Sequence, residues 1–159
     1  MKTKTPYISS SVAIKGITES KLAQSEKDDC VVRAFASAFG VTYDYAHKKV
    51  SEVFGRKNRQ GTLHFSLTMN ALASKQIKFN RKGVTPIKND VMMMYWVEVK
   101  GKRTLRNMTT AKFLEKYSKG TYIVTIKGHA FTIKDGVVIG NTEDATQRKK
   151  VIYNAWKIG

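Results

Sequence analysis

"KGTYIVTIKGHAFTIKDGVVIGNT" (119–142) contains three short extended patterns and decides how the second half of this chain folds. "TYIVTIK" (121–127) is rich in β-branched and aromatic residues, which favour strands. "HAFTIK" and "VVIGN" then flank Asp135-Gly136, and this pair tolerates the positive φ angles of a type I′ hairpin turn. The closing stretch "VIYNAWKI" (151–158) alternates like a further strand. We therefore predict a β-sheet for this half.

The first half carries helical periodicity instead. In "CVVRAFASAFG" (30–40) the apolar residues recur at i, i+3, i+4 and i+7, namely Val32, Phe35, Ala36 and Phe39. Asp28 or Asp29 is a suitable N-cap, and Gly40 is a natural stop. This pattern predicts a helix that begins near Cys30.

Two more helices are predicted to follow. The second has Thr42 as its cap, "YDYAHKKVSEVF" (43–54) as its body and Gly55 as its end. Its inward face should consist of Tyr43, Ala46, Val50 and Phe54, whereas His47 should be partly exposed. The third, "TLHFSLTMNALASKQI" (62–77), should bury Leu63, Leu67 and Leu72.

The remaining segments complete the expected architecture. "VMMMYWVEVKGKRTLR" (91–106) indicates a strand, a Lys-Gly-Lys turn and another strand, with Tyr95, Trp96 and also Trp156 in the core. Thr109 or Thr110 should cap a short helix that ends by Gly120. Helices followed by strands predict an α+β fold in a single domain over residues 1–159, with an extended segment at 1–23.

Composition limits the class of protein. The chain has 159 residues, 42% of them hydrophobic, and no stretch approaches the length of a membrane span or a signal peptide. Its one cysteine cannot form an internal disulfide or a thiolate zinc cluster. We therefore expect a soluble protein of a reducing compartment, with neither a metal nor another cofactor; the oligomeric state is left open.

The charge is strongly positive. The chain carries 29 Lys and Arg against 12 Asp and Glu, a formal net charge of +17. Such a field attracts polyanions, so nucleic acid and acidic proteins are both candidate partners.

Four residues form a candidate catalytic set. Cys30 falls in the first turn of the first predicted long helix, where the macrodipole favours a thiolate. His129 begins a strand and is the residue type suited to exchange a proton with that sulfur near pH 7. Asn141 should lie beside the position that faces His129 across the hairpin, where it would orient the imidazole. Gln24, with the backbone N–H of Cys30, could bind a developing oxyanion.

The order Gln, Cys, Gly-His and Asn resembles the papain-like cysteine peptidases. "QSEKDDCVVRAFA" (24–36) is similar to the opening of bacteriocin-processing peptidases that cut double-glycine leaders, and with 119–142 and 151–158 it resembles small papain-like proteins of bacteriophages. The resemblance implies a helical half that starts at Cys30, packed on an antiparallel sheet. It implies Cys30 as nucleophile, His129 as base, Asn141 as orienter and Gln24 as oxyanion donor, in a bacterial cytoplasm. Val31 stands where the leader peptidases have Gly, so the substrate class does not transfer.

Several alternatives remain open. The first hypothesis is a cysteine hydrolase acting on a peptide, isopeptide or other amide bond of a host or viral protein. Its basic surface would then dock an acidic substrate or carrier. The second is a catalytically silent protein of the same fold that binds nucleic acid or an acidic host protein. Asp135 is a poorer rival to Asn141, because the turn already explains it. "LHFSL" (63–67) has one His-x-Ser pattern of the two-histidine phosphoesterases but lacks its second copy.

Overall fold

The computed structural model describes residues 5–87, 94–146 and 148–159. The helices are α1 (Ser10–Ala13), α2 (Lys21–Ser25), α3 (Cys30–Phe39), α4 (Tyr43–Phe54), α5 (Phe65–Ser74) and α6 (Thr110–Lys116). The strands are β1 (Tyr7–Ser9), β2 (Val84–Pro86), β3 (Met94–Val99), β4 (Lys102–Asn107), β5 (Thr121–Ile126), β6 (His129–Lys134), β7 (Val137–Gly140) and β8 (Asn154–Ile158). A 3-10 turn, Thr142–Ala145, follows β7. None of the helices in these three ranges is long and apolar enough to cross a membrane.

Six strands form the main sheet in the order β1-β7-β6-β5-β8-β2. All neighbours are antiparallel except β1 and β7, which run parallel. The α+β class is therefore confirmed. The N-terminal segment differs from the extended chain that was predicted: Tyr7–Ser9 joins the sheet, and α1 and α2 follow. Ser9 and Ser20 cap these short helices by accepting backbone N–H groups.

The predicted hairpin turn is confirmed. Asp135 and Gly136 have φ angles of 48° and 78°, as a type I′ turn requires at both central positions. The turn sets the register of β6 against β7, in which Ile133 faces Val138 and Thr132 faces Ile139.

Helix α3 lies against the sheet at the centre of the molecule. The predicted stripe of Val32, Phe35, Ala36 and Phe39 is buried, and Gly40 ends the helix in the left-handed conformation. A buried hydrogen bond of 2.8 Å from the Thr132 hydroxyl to the Ala34 carbonyl fixes α3 on β6.

Helix α4 has the predicted bounds and the predicted inward face. Thr42 caps its first turn by accepting the N–H of Tyr45, and Gly55 ends it. Its inward side chains, Tyr43, Ala46, Val50 and Phe54, are all buried.

The sheet separates two apolar clusters. Helices α3, α4 and α5 cover one face, where Trp156 packs with residues such as Phe39. Helix α6 covers the other face, where Met108, Phe113 and Ile133 are buried. This layering leaves the start of α3 and the start of β6 side by side at one end of the sheet.

The third helix differs from its prediction. It begins at Phe65, because His64 adopts a left-handed conformation with φ of 53°. The inward positions are therefore Met69 and Leu72, whereas Leu63 and Leu67 are 75% and 71% exposed. The prediction that these two leucines are buried is wrong.

Strands β3 and β4 form a separate two-stranded hairpin. Its strand–turn–strand pattern was predicted, although residues 91–93 of the predicted strand and the side chain of Tyr95 lie outside the described part. Trp96 is 55% exposed, so its assignment to the core is wrong. Trp156 is buried as predicted, and its indole N–H donates to Asn70.

Candidate active site

Cys30 and His129 meet at one cleft although 98 residues separate them. Cys30 is the first residue of α3 and His129 is the first residue of β6. Both line a cleft of about 620 Å³, and the thiol is close enough to the imidazole to act as its hydrogen-bond partner. The two residues that the sequence singled out for this chemistry are therefore neighbours.

The start of α3 leaves its N–H groups available. Arg33 makes the first hydrogen bond of this helix, to the Asp29 carbonyl at 3.0 Å, so the N–H groups of residues 30–32 lie ahead of the helical ladder. Asp29 occupies the N-cap position without capping it, because its carboxylate accepts from the Tyr43 hydroxyl and the Arg33 guanidinium instead. Uncapped N–H groups and the macrodipole both stabilise an anion at Cys30.

His129 is held by Asp144, a residue that the sequence interpretation missed. The imidazole Nε2 lies 2.9 Å from Asp144 Oδ1 and 3.0 Å from Oδ2. The Asp144 side chain is only 2% exposed, against 21% for His129. Since this carboxylate engages Nε2, Nδ1 is the ring nitrogen that remains for the thiol.

The 3-10 turn explains how Asp144 reaches the imidazole. Strand β7 ends at Gly140, and the turn brings the carboxylate back over the strand end, where its Oδ2 accepts the Asn141 N–H at 2.7 Å. A Cβ on Gly140 would overlap this carboxylate, so a larger residue there would have to displace Asp144 from its present position. The signal in the sequence was Asn141-x-x-Asp144, the spacing of an N-cap residue and an acidic N3 residue.

Asn141 lies at the cleft but is not the acceptor for His129 in this structure. Its side chain is exposed, and its contribution to the site is the backbone N–H given to Asp144. The predicted hairpin register placed residue 141 at the end of the strand, and β7 does end next to it, at Gly140. It did not anticipate that the chain would leave the sheet there and return one turn later.

Gln24 is not brought to the cleft. It lies exposed in α2, where its side-chain amide donates to the Thr18 carbonyl at 3.5 Å. Gln24 does not line the cleft that contains Cys30 and His129. Thr62 is a different candidate donor, since it lines the cleft and its hydroxyl is buried without a hydrogen-bond partner among the described residues.

The electrostatics of the site favour a protonated His129. Burial alone lowers the pKa of the imidazole, but the hydrogen bonds to Asp144 and Cys30 and the charges of both groups outweigh it and raise the pKa from 6.5 to about 10. A protonated His129 places a positive charge next to the sulfur at the start of α3.

A cluster of buried charged residues anchors the chain segment that precedes Cys30. Glu26 and Arg56 form an ion pair in which each side chain is 2% exposed, and His47 Nε2 lies 3.4 Å from the same carboxylate. Glu26 also accepts the Arg59 N–H at 2.9 Å. The prediction that His47 is partly exposed is wrong, because this cluster draws it inward. The cluster joins the segment before Cys30 to the loop that leads to Thr62.

A larger groove of about 920 Å³ lies elsewhere, between α5, β2 and β8. Its lining includes Lys78, Tyr153 and Trp156 but no cysteine or histidine. Within residues 5–87, 94–146 and 148–159, no group of three or more His, Cys, Asp or Glu side chains is placed to hold a metal ion. The cleft at Cys30 is therefore the stronger candidate for covalent chemistry.

Comparison with known proteins found no matching family model, no matching curated protein and no matching solved structure. A functional interpretation of this chain therefore depends on the geometry of Cys30, His129 and Asp144.

Proposed function

We propose that this protein is a papain-like thiol hydrolase that cleaves an amide bond of a peptide or isopeptide substrate. The observation that carries the proposal is the chain of contacts from the thiol of Cys30 to the imidazole of His129 and on to the buried carboxylate of Asp144. A nucleophile, a proton carrier and a group that orients the carrier are the parts that such catalysis needs.

The reaction follows from these parts. The Cys30 thiolate attacks the carbonyl carbon, a C–S bond forms and the carbonyl oxygen becomes an oxyanion. As the tetrahedral intermediate collapses, the C–N bond breaks and the His129 imidazolium gives its proton to the leaving nitrogen. The neutral imidazole then takes a proton from water, and the resulting hydroxide attacks the thioester. Breakage of the C–S bond restores the thiolate beside the imidazolium and releases the carboxylic acid product, whose proton passes to solvent.

The surroundings of each group support these roles. The free N–H groups at the start of α3 and the Thr62 hydroxyl belong to residues of this cleft, and in the proposed reaction they would donate to the oxyanion. The Asp144 carboxylate keeps the imidazole oriented and stabilises its charged form. Leu67 lines the cleft while remaining 71% exposed, which provides an apolar contact for a substrate side chain.

The net charge indicates the kind of substrate, and the free thiol indicates the kind of compartment. A formal charge of +17 favours an acidic protein or peptide as the substrate. A single free cysteine is compatible with a reducing compartment, such as the bacterial cytoplasm that the phage resemblance implies.

Alkylation by iodoacetamide tests the activated thiol. Since Cys30 is the only cysteine, one added carbamidomethyl mass on the intact protein reports on this residue alone. At about pH 6.5 we expect Cys30 of the folded protein to react faster than the same thiol in denaturant, because the folded site stabilises the thiolate. Labelling in denaturant only would show that the cysteine is a buried structural residue and would refute the proposal.

Turnover is tested on a library of peptides derived from a bacterial proteome, with new termini read by mass spectrometry. We expect the protein to generate new termini and Cys30→Ala to generate none, while circular dichroism shows the same fold. Equal cleavage by the two proteins contradicts a thiol hydrolase, and so does the absence of cleavage by either protein together with an unactivated thiol in the unaltered one. The latter result would favour the silent binding protein.

A further inference from the structure

We infer that the hairpin formed by β3 and β4 is a binding arm for single-stranded nucleic acid. The inference is independent of the proposed hydrolase, because it uses none of the residues of the Cys30 cleft. It depends on one juxtaposition: an exposed indole and a cluster of basic side chains on a hairpin that is exposed to solvent over most of its length.

The exposure of the hairpin is the first observation. The residues from Trp96 to Asn107 are all exposed except Val97, which is half-buried. The two strands pair with each other and form a sheet separate from the six-stranded one. Because neither apolar cluster of the domain includes these strands, the hairpin contributes little to the core described above.

The charge of the hairpin is the second observation. Its basic residues are Lys100, Lys102, Arg103 and Arg106, and its one acidic residue is Glu98. Three of the four basic side chains cluster at the tip, where Lys100 and Gly101 form a tight turn with φ angles of 50° and 75°. This charge is complementary to a phosphate backbone and repels other cations.

Trp96 is the third observation and decides the class of partner. Its indole is 55% exposed, and the Arg103 guanidinium lies 4.8 Å from its ring centre. Opposite residues of an antiparallel pair project from the same face, so Trp96, Leu105, Arg103 and the facing Glu98 share one face of the hairpin. Lys102 and Arg106 lie on the other face, where they can contact the backbone of a strand that wraps the hairpin. An indole with a neighbouring guanidinium is a platform on which an unpaired base stacks. Bases in a duplex are already stacked and do not offer this contact.

Two ligands test the stacking directly. A fluorescently labelled 20-mer of single-stranded DNA is titrated with the full-length protein, and a 20-mer of abasic sites provides the same backbone without bases. We expect Trp96→Ala to weaken binding of the normal 20-mer about tenfold, as the loss of a base-stacking side chain does. The abasic strand should bind the unaltered protein about tenfold more weakly, with no further loss in Trp96→Ala.

Matched variants separate stacking from damage to the hairpin. Leu105→Ala removes an apolar side chain of the same face, opposite Trp96, and should leave affinity within about twofold. Trp96→Tyr keeps an aromatic ring and should restore most of the binding. Cys30→Ala should bind as the unaltered protein does, whether or not the hydrolase proposal survives. Since Trp156 is buried, quenching of tryptophan fluorescence by the oligonucleotide should disappear in Trp96→Phe.

Salt dependence tests the basic residues. Each phosphate neutralised on a single strand contributes about 0.7 to the slope of log affinity against log salt. The double variant Lys102→Gln, Arg106→Gln removes two such contacts and should therefore reduce this slope by about 1.4 (2 × 0.7). Lys48→Gln with Lys57→Gln lowers the net charge equally, from +17 to +15 (17 − 2), at exposed positions of the helical half, and should change the slope less.

Four results overturn the inference. They are binding by Trp96→Ala within twofold of the unaltered protein, equal affinity for the abasic strand, tighter binding to a duplex of the same sequence, and equal salt slopes in the two double variants. The first two would show that bases are not stacked on Trp96. The third would indicate groove binding, and the fourth would indicate that the charge acts without a defined site.

Discussion

The Asp144 carboxylate holds the His129 imidazole through Nε2, which lies within 3.0 Å of both carboxylate oxygens. The carboxylate is buried, and it accepts a second hydrogen bond from the Asn141 N–H. The imidazole is thereby oriented by a fixed charge, which both sets its tautomer and stabilises the imidazolium. The candidate triad is therefore Cys30, His129 and Asp144.

Substitution of the acceptor should reduce both activity and thiol reactivity. Asp144→Asn removes the charge and presents an amide to the ring, so we expect the alkylation rate at neutral pH to fall and any amide hydrolysis to fall by about a hundredfold or more. Asn141→Ala is the matched control, because Asn141 acts through its backbone N–H; it should retain activity within about twofold. A larger loss in Asn141→Ala than in Asp144→Asn would restore Asn141 as the orienting residue.

Gly140 should be intolerant of any side chain. A Cβ at this position would overlap the Asp144 carboxylate and must displace it from the imidazole. We expect Gly140→Ala to resemble Asp144→Asn in its alkylation profile. Gly61→Ala provides a control on the same cleft, since no atom lies within 4 Å of a Cβ built there. Normal alkylation kinetics in Gly140→Ala would show that Asp144 does not need its present position.

The elements with local signals could be predicted from the sequence. Helix α4 matches its predicted bounds because Thr42 and Gly55 satisfy the free groups at its two ends without help from the rest of the fold. The β6–β7 hairpin matches for the same reason, since Asp135-Gly136 determines the turn and the turn determines the register. Cys30 and His129 could be predicted because they begin α3 and β6, two elements with clear local signals.

The residues that were missed depend on the tertiary fold. Leu63 and Leu67 fit an apolar stripe, but the left-handed His64 shifts the start of α5 and with it the buried face. Trp96 lies in a stretch whose apolar composition is typical of a buried strand, but that strand belongs to an exposed hairpin. The alternation of apolar and polar residues does not show which sheet a strand joins. Asp144 was missed because the hairpin register was extended past Gly140, where the chain leaves the sheet.

The stability of the protein should depend on pH through His129. Its pKa is about 10 in the folded protein against an ordinary 6.5, so the folded state binds a proton that the unfolded state has lost between these values. The contribution of this group to stability is therefore complete below about pH 6.5 and declines as pH rises to about 10. His129→Gln removes it.

Urea denaturation of the two proteins at about pH 6, 8 and 10 measures this contribution. We expect the difference in the free energy of unfolding between the unaltered protein and His129→Gln to be largest at pH 6 and to shrink towards pH 10. A difference that is constant or grows over this range would mean that the imidazole is neutral in the folded protein.

The buried pair of Glu26 and Arg56 should be essential for stability. Glu26→Gln leaves the Arg56 guanidinium, whose side chain is 2% exposed, without a counter-charge, and such a loss destabilises a protein by about 3–5 kcal/mol. Glu52→Gln is the control: it breaks the exposed pair with Lys49 and should cost at most about 1 kcal/mol. Replacing both buried partners, as in Glu26→Gln with Arg56→Met, should recover part of the loss, because the unpaired charge is removed. If Glu26→Gln unfolds at the same urea concentration as Glu52→Gln, the cluster does not support the segment that leads to Cys30.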